Sequence, residues 1–234
     1  MKRNRCKKIA AALLCVVMGC TTLGQGFSAA AADATTSEEE VEINFAKALQ
    51  MSLYFYDANK CGSGITGGNL EWRGDCHTED AAVPLKPMGE DYKGTNLSQK
   101  FIDAHRDILD PDGDGTIDVA GGMHDAGDHV KFCLPGSYAA STLGWGYYEF
   151  RDAYVDSGQQ WHIEDILHWF NDYYLKCTYF DENGDILAFC YQVGEGNIDH
   201  NYWNAPENMT ISTTLLPLMK ILLAIWVLIL IPVI

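Results

Sequence analysis

Two aspartates set in a glycine-rich run are the first residues in this chain that could do chemistry. The stretch reads Gly121-Gly122-Met123-His124-Asp125-Ala126-Gly127-Asp128-His129-Val130-Lys131-Phe132. In a tight loop, the spacing of Asp125 and Asp128 brings both carboxylates to one point, such as a water molecule. Close carboxylates repel, which raises one pKa and yields a base of tunable strength. The same spacing also fits a solvated Asp-Gly turn, and spacing alone favours that turn. A second group lies just upstream, in Asp110-Pro111-Asp112-Gly113-Asp114-Gly115-Thr116-Ile117-Asp118. Acidic residues at positions one, three and five, followed by Gly, match the start of a Ca²⁺ loop with Asp110, Asp112 and Asp114 as ligands. Gly121 stands where such a loop would close on an acid, so an irregular Ca²⁺ site and a plain acidic turn both fit.

These loops need elements to hold them. Three segments have helical periodicity. Phe45, Leu49, Leu53 and Tyr56 line one face of the first. Leu143, Tyr147, Phe150 and Tyr154 line the second, and Ile163, Leu167, Phe170 and Tyr174 the third. Between the first two lies a Gly-, Asp- and Pro-rich region over roughly residues 58–136, of a length that compact domains keep for functional loops. The aromatic clusters, including Tyr147-Tyr148, Trp161, Trp169-Phe170 and Tyr173-Tyr174, are expected mostly in the core, with a minority free to stack on flat apolar faces such as sugar rings.

The two ends differ from this body. Lys2, Arg3, Arg5, Lys7 and Lys8 precede an apolar run and then Ala30-Ala31-Ala32, the pattern of a cleaved secretory signal peptide over residues 1–32. Residues 33–40 form an acidic linker. The whole chain of 234 residues has formal net charge −16, and without residues 1–32 the balance becomes 11 basic against 32 acidic residues, net −21. A chain this acidic repels phosphates, which argues against nucleic acid as a partner. Cys61, Cys76, Cys133, Cys177 and Cys190 remain after the leader. Their number is odd and their spacing carries no metal signature, so they permit a disulfide and indicate nothing more.

Residues 210–234 end in the apolar run Leu215–Ile234. Its length suits a membrane helix, yet Pro217, Lys220 and Pro232 interrupt it. Read one base earlier, Leu218–Val227 is compatible with a polar, turn-like segment. The run is therefore expected to be frameshifted or truncated sequence in preference to an anchor, and a membrane partner follows only if the tail is real.

Asp125-Ala126-Gly127-Asp128-His129-Val130-Lys131-Phe132 resembles the signature of glycoside hydrolase family 9, the inverting cellulases. Further segments match in the family's order: Asn44–Gln50, Glu71-Trp72-Arg73-Gly74-Asp75, the helix run to Trp145 and Phe150, Trp169–Tyr173, Tyr191–Gly194, Asp199–Trp203 and Ala205-Pro206-Glu207. The resemblance covers about Val41 to Met209. It implies an all-α fold, an (α/α)6 barrel of which residues 41–209 supply the N-terminal part. It implies a secreted enzyme that hydrolyses β-1,4-glucan such as cellulose with inversion and needs no cofactor beyond a possible structural Ca²⁺. Carried over by motif, Asp128 is the general base and Asp125 helps hold its water. His200, Tyr202 and Trp203 line the sugar subsites, with Tyr202 where the family usually has Trp. The family's acid is a Glu far towards the C-terminus that nothing here matches; Glu195 and Glu207 do not fit its motif. The chain as written is thus expected to be an inactive fragment. A glucan-binding fragment without catalysis and a membrane-tethered protein are the alternatives.

Overall fold

The computed structural model describes residues 43–209, together with the backbone of four residues in two short strands further on. The leader, the linker and most of the tail, on which the export, frameshift and anchor expectations fall, lie outside the described residues.

Among the described residues six helices carry the body: α1 (Phe45–Asn59), α2 (Gln99–Ala104), α3 (Arg106–Leu109), α4 (Cys133–Glu149), α5 (Arg151–Asp156) and α6 (Gln160–Lys176). Local chemistry starts them. The Asn44 side chain accepts the Lys47 N–H at 2.8 Å and Ser98 accepts that of Phe101 at 3.2 Å, each filling an orphan donor of a first turn. Helix α6 is the central beam. Ile163, Leu167, Phe170 and Tyr174 are all buried, as its periodicity predicts, and Ile166 and Tyr173 join them. Leu53 of α1 and Ala140 and Tyr147 of α4 belong to the same core. A side chain at Gly136 would meet the Tyr174 hydroxyl at 2.7 Å, so the small residue lets α4 approach α6.

Three expectations need correction. Phe45, placed on the apolar face of α1, is 75% exposed. The second periodic segment is two helices, because the backbone departs from helical geometry at Phe150, whose ring faces solvent. The edge-to-face contact of Tyr147 with Tyr154, with ring centroids 5.4 Å apart, spans the break and retains the packing that the periodicity anticipated. The aromatic clusters also divide more evenly than expected. Phe170, Tyr173 and Tyr174 are core, whereas Trp145, Tyr148 and Trp161 are exposed.

Short strands tie the long region together. β1 (Val83–Pro84) pairs antiparallel with β3 (Thr116–Ile117), and β4 (Lys131–Phe132) with β7 (Gln192–Val193). β5 (Thr178–Phe180) and β6 (Ile186–Cys190) form a hairpin after α6. β2 (Gly94–Thr95) pairs in parallel with β8 (Leu215–Leu216), and β6 also pairs with β9 (Leu218–Met219). No helix among the described residues is long and apolar enough to cross a membrane.

Candidate active site and metal centre

Strand pairing assembles the site. In the β4–β7 ladder, Lys131 lies opposite Val193 and Phe132 opposite Gln192. The loop before β4 holds Asp125 and Asp128, and the loop after β7 holds the turn Asp199–Asn201 followed by Tyr202 and Trp203. Two segments distant in sequence therefore meet at one edge. The first loop is closed by the Asp125 N–H donating to the Val130 carbonyl at 3.0 Å.

The catalytic and sugar-binding residues expected from the resemblance all fall within these two loops, whereas the expected metal ligands Asp110, Asp112 and Asp114 lie apart, in the loop between α3 and β3. Asp128 is 2% exposed, and its Oδ2 lies 3.0 Å from His200 Nδ1. Asp125 is exposed. Burial of its carboxyl, then the nearby Asp128 charge, push the Asp125 pKa up, with His200 opposing. The Trp203 ring is 68% exposed and packs edge-on to His200. Gly127 abuts that ring, since a Cβ there would stand 3.0 Å from Trp203 Cζ3. Tyr202 is held differently. Its hydroxyl donates to the Asn208 carbonyl at 2.9 Å and its ring leans on His129, so it is anchored at both ends. The arrangement is a buried carboxylate oriented by an imidazole, a second carboxylate open to water, and an exposed flat ring beside them. That set can activate water against a stacked sugar.

The two glutamates nearest the motif are engaged elsewhere. Glu207 accepts from the Arg73 guanidinium and, at 2.7 Å, from the Gly74 N–H. Glu195 accepts the N–H groups of Asn197 and Ile198 at 2.7 and 2.8 Å, closing its own turn.

Directly before Asp125 the structure reveals a cluster that sequence reading missed. Cys61, Cys76, His77 and His124 are all buried, and one potential ligand atom from each lies within 4.8 Å of the others. This corrects the reading of the cysteines as devoid of a metal signature. The spacing is silent because folding supplies the proximity: antiparallel bridges join Lys60 to Met123 and Gly62 to Cys76. Nδ1 of His77 and Nε2 of His124 are buried with no hydrogen-bond partner among the described residues. Burial pushes the His124 pKa down to about 4, leaving a neutral ring with a free lone pair. The Cys61 thiol, together with the two imidazoles, favours the thiolate at Cys76, while burial pushes Cys61 well up. Orphaned nitrogens beside paired sulfurs fit a four-coordinate Zn²⁺ site, closed to substrate.

Lys131, the motif's cation, is also buried. Its Nζ bonds Asp80 Oδ2 at 2.8 Å, the Val119 carbonyl at 2.8 Å and the Gly121 carbonyl at 3.1 Å. Burial opposes its charge, but Asp80 outweighs that and raises its pKa. Lys131 thus fixes the segment leading into the aspartate loop, a role hidden in sequence because lysine reads as surface.

Residues 45–222 match the model of glycosyl hydrolase family 9. Endoglucanase A of Bacillus pumilus is 33% identical over 177 residues, covering 76% of this chain and 21% of that relative. Among solved structures, the catalytic domain of Clostridium thermocellum CelT is 57% identical with TM-score 0.67, over 72% of this chain and 34% of that one. The endoglucanase of the termite Nasutitermes takasagoensis is 26% identical with TM-score 0.53, over 76% of this chain and 32% of that one. The chain thus spans about a fifth of the length of the Bacillus relative and about a third of the solved domains. With this match and the loop geometry above, the chain belongs to glycosyl hydrolase family 9, and its described residues form the N-terminal part of the family's (α/α)6-barrel catalytic domain.

Proposed function

We propose that these residues form the water-activating half of an exported, inverting β-1,4-glucan hydrolase. The observation that carries the reading is the pairing of buried Asp128 with His200, beside solvent-facing Asp125 and the exposed Trp203 ring. The relatives' names support cellulose as substrate, and Cel9M of C. cellulolyticum, 36% identical with TM-score 0.51 over 75% of this chain and 32% of that one, was solved in complex with cellobiose. The leader pattern of residues 1–32 supports export.

In this reading Asp128 takes a proton from a water that Asp125 also holds. The oxygen attacks the anomeric carbon from one face, and the bond to the leaving oxygen breaks on the other. His200 orients the Asp128 carboxylate, and Trp203 stacks the sugar. Protonation of the leaving oxygen requires an acid across the sugar ring. Glu195 and Glu207 are unsuited, being engaged in local hydrogen bonds. That acid belongs to the part of the family's catalytic domain that these residues do not match. Cys61, Cys76, His77 and His124 would hold a structural Zn²⁺ apart from the proton transfer, since a site of four protein ligands leaves no open position for substrate.

The test grafts residues 45–209 into the CelT catalytic domain in place of the matching segment. Cellopentaose hydrolysis followed by proton NMR is expected to give the α-anomer first, while the 234-residue chain alone releases no reducing ends. An initial β-anomer from the graft would overturn the inverting reading.

A further inference from the structure

Trp203 turns its ring to solvent, and its own packing does little to aim it. The ring meets His200 edge-on, with centroids 6.0 Å apart, and abuts the backbone at Gly127. Its direction is therefore set by the chain on either side. Upstream, the hydrogen bond between His200 and Asp128 holds the loop. Downstream, the chain turns through Pro206–Asn208 and ends on buried Met209, whose sulfur lies 3.3 Å from His77 Nε2 and 3.1 Å from His129 Nδ1.

Glu207 stands between these anchors. Its Oε1 accepts from the Arg73 guanidinium and, at 2.7 Å, from the Gly74 N–H. Arg73 is buried and cannot follow a moving loop. Its Nε donates to the Ala58 carbonyl at 2.8 Å and its Nη2 to the Lys60 carbonyl at 2.6 Å, so it is fixed to the end of α1 and the residue after it. A Cβ at Gly74 would stand 3.3 Å from Glu207 Cγ, so the glycine lets the carboxylate come this close. Charge-assisted bonds of this kind are directional as well as strong.

We propose that Glu207 is a positioning residue that, with Arg73, aims the Trp203 ring at the sugar from the fixed end of α1. The inference rests on the reading of Trp203 as the stacking surface. Three residues separate Glu207 from Trp203, and the Tyr202 hydroxyl closes the same turn on the Asn208 carbonyl at 2.9 Å. A shift of Glu207 is thus passed to the ring. Asp128 and His200 stay paired through such a shift, because the upstream anchor is independent of Arg73.

Binding of the full 234-residue chain to amorphous cellulose, measured by depletion from solution, tests this. Trp203→Ala should weaken binding about tenfold and Glu207→Ala about fivefold, the order for losing or misaiming an aromatic anchor. Glu207→Gln keeps an acceptor oxygen of the same reach and should recover most of that loss. In the Trp203→Ala background, Glu207→Ala should cost nothing more, since both changes remove one interaction. A merely structural role would add its loss instead. If Glu207→Ala fails to fold, Gly74→Ala, which crowds the Glu207 side chain, carries the same comparison. Losses that add in the double variant, or parental binding by Glu207→Ala, would overturn the proposal. Parental binding by Trp203→Ala would overturn the reading of the stacking surface, and the proposal with it.

Discussion

His124 and Asp125 are neighbours in the chain and opposites in environment. His124 is buried among two cysteines and another histidine, with a nitrogen that has no partner among the described residues. Asp125 faces solvent, with a carboxyl whose pKa is pushed up by burial and by Asp128. The first environment suits an ion that never leaves, and the second suits a water that must. The difference teaches that this edge of the barrel separates holding from acting within one residue. The Cys–His knot and Lys131 fix where the loop runs, while in the proposed function Asp128, Asp125 and Trp203 meet the substrate.

Several substitutions would break or sharpen that separation. Cys76→Ser removes a ligand from a closed site and exposes the orphaned imidazoles. It should lower stability by about 5 kcal/mol or abolish folding outright, with zinc falling from one per chain to near zero by plasma mass spectrometry. Folding and full zinc content in that variant would refute the holding role. Lys131→Met leaves Asp80 buried without its cation. It should cost about 3–5 kcal/mol in urea unfolding while zinc content stays at one per chain.

Smaller effects belong to the acting side. Gly127→Ala pushes the Trp203 ring aside, so in the CelT graft KM should rise a few-fold, about 1 kcal/mol, with kcat nearly unchanged. Asp125→Asn makes the separation visible as a trade. The folded state holds the Asp125 proton more tightly than the unfolded chain does. The ionised group therefore disfavours folding at neutral pH, and the penalty fades as pH falls through the raised pKa. Removing the charge should raise the melting temperature slightly at pH 7, less than burial alone would suggest because solvent screens the group, and the gain should shrink as pH falls towards 3. A lower melting temperature at pH 7 would place Asp125 among the holding residues.

What sequence makes legible here follows from how local the physics is. The buried face of α6, with Ile163, Leu167, Phe170 and Tyr174, is a pure periodicity and needs no tertiary knowledge. Asp125 and Asp128 are legible because a tight loop brings near neighbours together, and the resemblance to the family supplies their roles. The partners of that loop are harder to see. His200 reaches Asp128 only through the β4–β7 ladder, a pairing that two-residue strands do not announce. The Cys–His knot is invisible for the same reason, since isolated bridges at Lys60 and Gly62 gather its ligands from three separate stretches. Lys131 is hidden because a buried lysine needs three acceptors that no local pattern reveals. The exposure of Trp145, Tyr148 and Trp161 depends on which helix faces find partners, and composition carries no such information.

Zinc content, melting temperature and cellopentaose hydrolysis, measured together on Asp128→Ala in the CelT graft, test the division most directly. Zinc should remain at one per chain and the melting temperature should change little, while hydrolysis falls by about 10²–10⁴, the range for loss of a general base. Hydrolysis within tenfold of the parent, or loss of zinc alongside activity, would contradict it.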